Sequence, residues 1–126
     1  MRGMSRTWSP FVATLVVVVA ITFPWDLQDH PHWSKVAWLP FLSGIVRPVD
    51  ILSNAALYFP VGFFLPAPSR RRRVAWAFGI ALLVSGPLEL TQVWSHVRFP
   101  SATDLAMNVI GSVVGAIVSA RDVPPT

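Results

Sequence analysis

No cysteine occurs anywhere in the chain, which excludes a disulfide framework, a thiolate nucleophile and a thiolate metal site. Charge is nearly as scarce. Charged residues make up 13% of the 126 and hydrophobic residues 53%, too little polar surface for an ordinary soluble domain of this length. Lipid is the better solvent for such a chain. Also missing are a phosphate-binding glycine loop, a dinucleotide fingerprint, a serine–histidine–acid arrangement, a solenoid-length repeat and a low-complexity tail. A net charge of +4 would suggest nucleic acid in a soluble protein, but the arginines lie between apolar runs and make no folded basic surface. Nucleic acid is therefore not an expected partner, and no cofactor is expected.

What the chain has instead is a set of apolar segments. The expected fold is an all-α polytopic integral membrane protein, one domain over 1–126 built as a four-helix transmembrane bundle. The predicted spans cover 8–25, 48–65, 74–94 and 102–120, with an outer loop at 26–47. Crossing a hydrocarbon core takes about 20 helical residues. The first segment is framed by Trp8 and Trp25, whose rings favour the membrane interface, and by Pro10 and Pro24. A cleaved secretory signal is the rival reading of that segment, because Arg2 and Arg6 precede a short apolar core; no small-x-small cleavage pattern follows it cleanly. Pro60 and Gly62 interrupt the second span, and Ser85, Gly86 and Pro87 mark a kink in the third. The prolines, aspartates, histidines and tryptophans of residues 25–47 read as an interfacial loop with room for a short surface helix. Four spans with short connections leave no room for a soluble domain.

Orientation follows from the placement of lysine and arginine. One side of the membrane would hold Arg2, Arg6, Arg70, Arg71, Arg72, Arg73 and Arg121, and the other only Lys35, Arg47 and Arg98. The positive-inside rule then puts both termini in the cytoplasm of a multi-pass protein of the cytoplasmic (inner) membrane. The arginine run itself reads as a topological stop and a contact for anionic lipid headgroups.

With that topology, three helices carry polar pairs near the extracytoplasmic side: Asp50 with Asn54, Glu89 with Gln92, and Asp104 with Asn108. Each spacing places its pair on one helical face. Arg98, in the loop between the third and fourth spans, is the expected cation for the three acids. An acid at mid-bilayer costs about 2.5–3.5 kcal/mol on insertion scales, so convergence on one another is favoured over exposure to lipid. The competing reading is that these side chains only glue the helices together. Gly111, Gly115 and Ser119 form a small-xxx-small face suited to close packing. His30, His32 and His96 have no spacing that argues zinc, whereas Asp50, Glu89 and Asp104 offer the oxygen ligands of a hard cation, with Arg98 opposing it.

The run Asp50-Ile51-Leu52-Ser53-Asn54 leading to Phe59-Pro60-Val61-Gly62-Phe63 resembles the second-helix signature of the VanZ-like family. Ser85, then Glu89-Leu90 and Gln92, then Arg98, then Asp104-Leu105, Asn108 and Gly111 are similar to the rest of its pattern in order and spacing. The resemblance covers residues 48–118; the first span and outer loop match only in hydropathy. The family's namesake is associated with low-level resistance to the glycopeptide teicoplanin, so the resemblance implies a bacterial cell-envelope protein and, by analogy, antibiotic resistance.

The expected function is binding or modification of an amphiphilic ligand at the outer leaflet, a glycopeptide or a lipid-linked wall precursor, alongside membrane lipid. Arg98 would meet an anionic group, Glu89, Asp104 or Asp50 would serve as catalytic acid, base or cation ligand, and Asn54, Gln92 and Asn108 would orient the ligand. The alternatives are a non-enzymatic assembly protein with a structural polar layer and, third, a small transporter.

Overall fold

A computed structural model describes residues 2–42, 47–95 and 98–119, with side chains from residue 8 onward. Among the described residues four α-helices follow one another: α1 Arg2–Thr22, α2 Pro48–Phe64, α3 Arg70–Thr91 and α4 Ala102–Val118. Short 3-10 turns at Trp33–Lys35 and Gln92–Trp94 complete the regular structure. Among the described residues there is no strand, only an isolated parallel bridge between Ala37 and Ser101. His96, Ala120 and Arg121 lie outside the described residues, as do 43–46 of the outer loop and the side chains of Arg2 and Arg6.

Local chemistry sets the helix ends. Pro48 opens α2 at a position where its missing N–H is no loss. Ser69 opens α3 by accepting a hydrogen bond from the Arg72 amide, 3.2 Å away. The helix therefore starts at Arg70, inside the arginine run that hydropathy reads as a boundary. In α1 the helix passes through Pro10.

The closest packing is between α2 and α4. A Cβ added at Gly62 would run into the Ser112 carbonyl, one at Gly111 into the Ala55 carbonyl, and one at Gly115 into the Phe59 carbonyl. The two backbones therefore touch. Only glycine permits such an approach. Helix α3 turns one line of side chains inward at four-residue spacing: Arg73, Ala77, Ala81, Ser85 and Glu89, all buried. This line has an arginine at one end and a glutamate at the other, which distinguishes an Arg73 end and a Glu89 end of the bundle. Between them the core is Phe11, Val18, Tyr58, Val61, Leu65, Ala77, Ala81, Val109 and Ala116.

At the Arg73 end the guanidinium is 1% exposed. Its Nε donates to the Leu65 carbonyl at 3.0 Å and its Nη1 to the Ser119 carbonyl at 3.2 Å, the residues that cap the C-termini of α2 and α4. Arg70, Arg71 and Arg72 are exposed. The run is thus three surface cations and one internal brace.

The exterior is apolar, with Val12, Val16, Val17, Phe78, Leu83, Ile110, Val114 and Ile117 among the exposed side chains. Among the described residues one helical stretch, Arg70–Trp94, is long and apolar enough to cross a membrane; Trp8–Thr22 and Ala102–Val118 are apolar but shorter. Capping trims α2 and α4 to 17 residues each, below the lengths predicted for their spans.

Candidate functional site

The Glu89 end begins with the start of α4. Ser101 is its N-cap, and Ser101 Oγ accepts the Asp104 amide at 3.4 Å. In a capping box, the carboxylate three residues on would return to the N-cap amide. Here Glu89 of α3 takes that role, with Oε2 accepting the Ser101 N–H at 3.0 Å. Asp104 is left free to face α2, where its Oδ1 accepts from Asn54 Nδ2 at 3.0 Å. The same amide donates to the Asp50 carbonyl oxygen at 2.9 Å. Asp50 itself turns outward, and its carboxylate pairs with Arg47 at 3.2 Å. Glu89, Asp104 and Asn54 are therefore linked through α4's first turn, with Asp50 at the rim.

One turn deeper lies a second polar group. Asn108 is 2% exposed and donates from Nδ2 to Ser85 Oγ at 2.6 Å. The buried Tyr58 hydroxyl lies beside Ser85 and Thr22, though not at hydrogen-bonding geometry. Thr22 Oγ1 bonds back to the Val18 carbonyl at 2.6 Å. Each of the four helices contributes one side chain to this level. Ser112 continues the line, donating to the Ala77 carbonyl at 3.2 Å.

The two other predicted site residues are placed differently. Gln92 is buried in the 3-10 turn after α3, where its carbonyl accepts the Ser95 amide at 2.9 Å. Arg98 makes no ion pair with the acids; its Nη1 donates to the Ile21 carbonyl at 3.1 Å. The last carbonyls of α1 carry the negative end of that helix's dipole, which favours a cation there. Among the described residues, no three of histidine, aspartate and glutamate stand close enough to hold a metal ion.

Over this end lie residues 26–42 between α1 and α2, hydrogen-bonded at three points to the described part of the α3–α4 connection. Gln28 N–H donates to the Trp94 carbonyl at 2.7 Å, His32 N–H to that of Val93 at 2.7 Å and Ala37 N–H to that of Pro100 at 3.0 Å. Ser95 Oγ meets both carboxylate oxygens of Asp26, at 2.9 and 3.0 Å. Residues 26–42 of the outer loop thus form a fixed lid, and beneath it Glu89 is 9% exposed and Ser95 fully buried.

The VanZ/LLP1 family model matches residues 5–121. The chain belongs to the VanZ/LLP1 family. No curated protein and no solved structure matches it. The family match includes the first helix and the lid, beyond the 48–118 stretch whose motifs carried the resemblance. In this VanZ/LLP1 chain, the motif residues Asp50, Asn54, Ser85, Glu89, Asp104 and Asn108 gather at one end of the bundle.

Tyr58, Ser101, Asp26, Ser95 and Thr22 were not legible as site residues. A four-residue ladder is the signal that would have found the first: Asp50, Asn54 and Tyr58 on α2 repeat the spacing of Asp104, Asn108 and Ser112 on α4.

The cap supplied by Glu89 makes a testable distinction. Glu89→Gln keeps an acceptor for the Ser101 amide and is expected to lower stability by less than about 1 kcal/mol, whereas Glu89→Leu strands that amide at about 1–3 kcal/mol. Thermal denaturation in detergent compares the two; equal losses would mean that the Ser101 contact contributes nothing.

Proposed function

We propose that this VanZ-like protein is a four-span protein of the bacterial cytoplasmic membrane, with both termini cytoplasmic. On this reading its Glu89 end is an extracytoplasmic site that binds or modifies an amphiphilic ligand. The apolar exterior, the one long apolar helix and the family membership support the membrane placement. Orientation rests on the arginine distribution.

The observation that carries the site reading is the shared cluster of Asn54, Glu89 and Asp104, drawn from α2, α3 and α4 around the first turn of α4. Acids at membrane depth are expensive and mark ligand or proton sites more often than packing sites. Asp104 and Asp50 remain half-exposed beside Asn54 and are the acceptors a ligand would meet first. A glycopeptide or a lipid-linked wall precursor presents the hydroxyl and amine donors that carboxylates accept. Resistance to teicoplanin is the phenotype the family's namesake suggests.

One observation favours the structural alternative: Glu89, Asn54 and Asn108 are each engaged by a protein partner. Growth of a susceptible host under teicoplanin, with membrane levels of each variant quantified, separates the two. Asp104→Asn and Arg98→Ala are expected to lose protection at wild-type abundance. Protection that falls only in proportion to abundance would make the layer structural, and no protection by the wild type would detach this chain from glycopeptides.

A further inference from the structure

The lid divides into two arms of opposite character. Residues 26–32 carry Asp26, Gln28, Asp29, His30 and His32, whereas residues 36–42 carry Val36, Trp38, Leu39, Phe41 and Leu42 and no charge. In the second arm Leu42 is 83% exposed and Trp38 62%, with Leu39 and Phe41 exposed beside them. The arm cannot turn inward to bury these side chains, because its backbone is held. Ala37 bonds to Pro100 and Ala102 at 3.0 and 2.8 Å, and the Phe41 amide donates to Thr103 Oγ1 at 2.7 Å.

A tight turn forms its tip, with the Leu42 amide bonded to the Leu39 carbonyl at 3.3 Å. Pro40 takes the second position and Phe41 the third, with φ at 61°. Glycine is the unstrained choice for a left-handed residue at that position. A phenylalanine stands there instead, with 48% of its surface exposed.

We propose that residues 38–42 are an interfacial anchor that inserts into the lipid leaflet at the Glu89 end of the bundle. The proposal rests on the membrane-spanning reading above. Lipid is the fitting partner for three reasons. Tryptophan and aliphatic side chains without charge suit the boundary between headgroups and acyl chains. A cation, Lys35, precedes the arm in the sequence, with its ammonium 6.0 Å from the centroid of the Phe99 ring, and a lysine beside such a segment suits a headgroup layer. The tip is also tied to the first turn of α4 through Thr103, and further along that helix the exterior is apolar at Ile110 and Val114. Because Thr103, which holds Phe41, immediately precedes Asp104, the depth of the tip sets the depth of the Asp104–Asn54 pair. The site is thereby held at the leaflet surface, where an amphiphile's head would lie.

The cysteine-free chain makes the test direct. Leu42→Cys and Trp38→Cys each take one nitroxide label, in vesicles of phosphatidylcholine and phosphatidylglycerol. Gln28→Cys on the polar arm and Leu83→Cys on the exterior of α3 serve as references. The labels at 42 and 38 are expected to collide several-fold more with oxygen, relative to a water-soluble nickel chelate, than the label at 28. Labels at 42 and 38 that read as aqueous while 83 reads as lipid would overturn the anchor and leave the membrane reading intact. Labels shielded from both reagents would overturn it in favour of a protein contact. An aqueous reading at 83 would remove the membrane reading and the anchor together.

Discussion

Gly111→Leu is expected to prevent accumulation of folded protein. A side chain there has no place to go, because the obstacle is the Ala55 backbone of α2 and not a flexible side chain that could rotate away. Ordinary overpacking of a core costs about 1–3 kcal/mol. Separating two helices in backbone contact should exceed that range, and it would also pull Asp104 away from Asn54, which bridge the same helix pair. Gly79 supplies the control, since a Cβ there meets nothing within 4 Å. Gly79→Ala removes a flexible residue from a helix interior and is expected to be neutral or stabilising by up to about 1 kcal/mol. Size-exclusion profiles and thermal midpoints in detergent read both. A monodisperse Gly111→Leu protein with a wild-type midpoint would mean that the α2–α4 contact is not as close as described.

Arg73→Ala is expected to be the most damaging substitution in the arginine run, by a wide margin. The guanidinium sits in the first turn of α3, where its own helix dipole disfavours a cation. What holds it is the other two helices, whose C-terminal carbonyls at Leu65 and Ser119 face it. Hydrogen bonds from a charged donor contribute about 1.5–3 kcal/mol each, so losing both should lower stability by about 3 kcal/mol or more. Arg71→Ala, on an exposed residue, should stay within about 0.5 kcal/mol of the wild type. Arg73→Lys should fall between, because a single ammonium cannot fork to two carbonyls as the planar guanidinium does. Equal midpoints for Arg73→Ala and Arg71→Ala would refute the brace.

These two residues also mark how far the sequence could be read. Gly111 was legible, because small residues repeated every four positions on an apolar helix give a face that only close packing uses. Arg73 was not. Hydropathy treats four successive arginines as one boundary, and nothing along the chain distinguishes the one that points inward. The distinction arises because Ser69 starts the helix early enough to bring Arg73, Ala77, Ala81, Ser85 and Glu89 onto one line. That line faces the core only because α2 and α4 close over it.

The candidate site divides in the same way. Asp50, Asn54, Glu89, Asp104 and Asn108 could be singled out because an acid or amide in an apolar helix needs a partner, and one-turn spacing puts neighbours on one face. Their partners could not. Arg98 is the counter-charge the sequence offers, because it lies in the loop that joins the helices of Glu89 and Asp104. In the fold it reaches back to Ile21, because the end of α1 lies closer to its guanidinium than any carboxylate does. Glu89 likewise serves a backbone amide twelve residues away.

The sequence by itself determined the number of helices, their apolar character, the family and which polar residues could share a face, because each of these is a property of one stretch of chain. Tertiary structure alone decided which of those residues meet, that Arg73 is internal, and that residues 26–42 form a fixed lid with exposed apolar side chains at 38–42. The physical reason is range. Periodicity fixes directions within one helix, whereas hydrogen-bond partners depend on the rotation and offset between helices, and a shift of a few ångströms exchanges one partner for another.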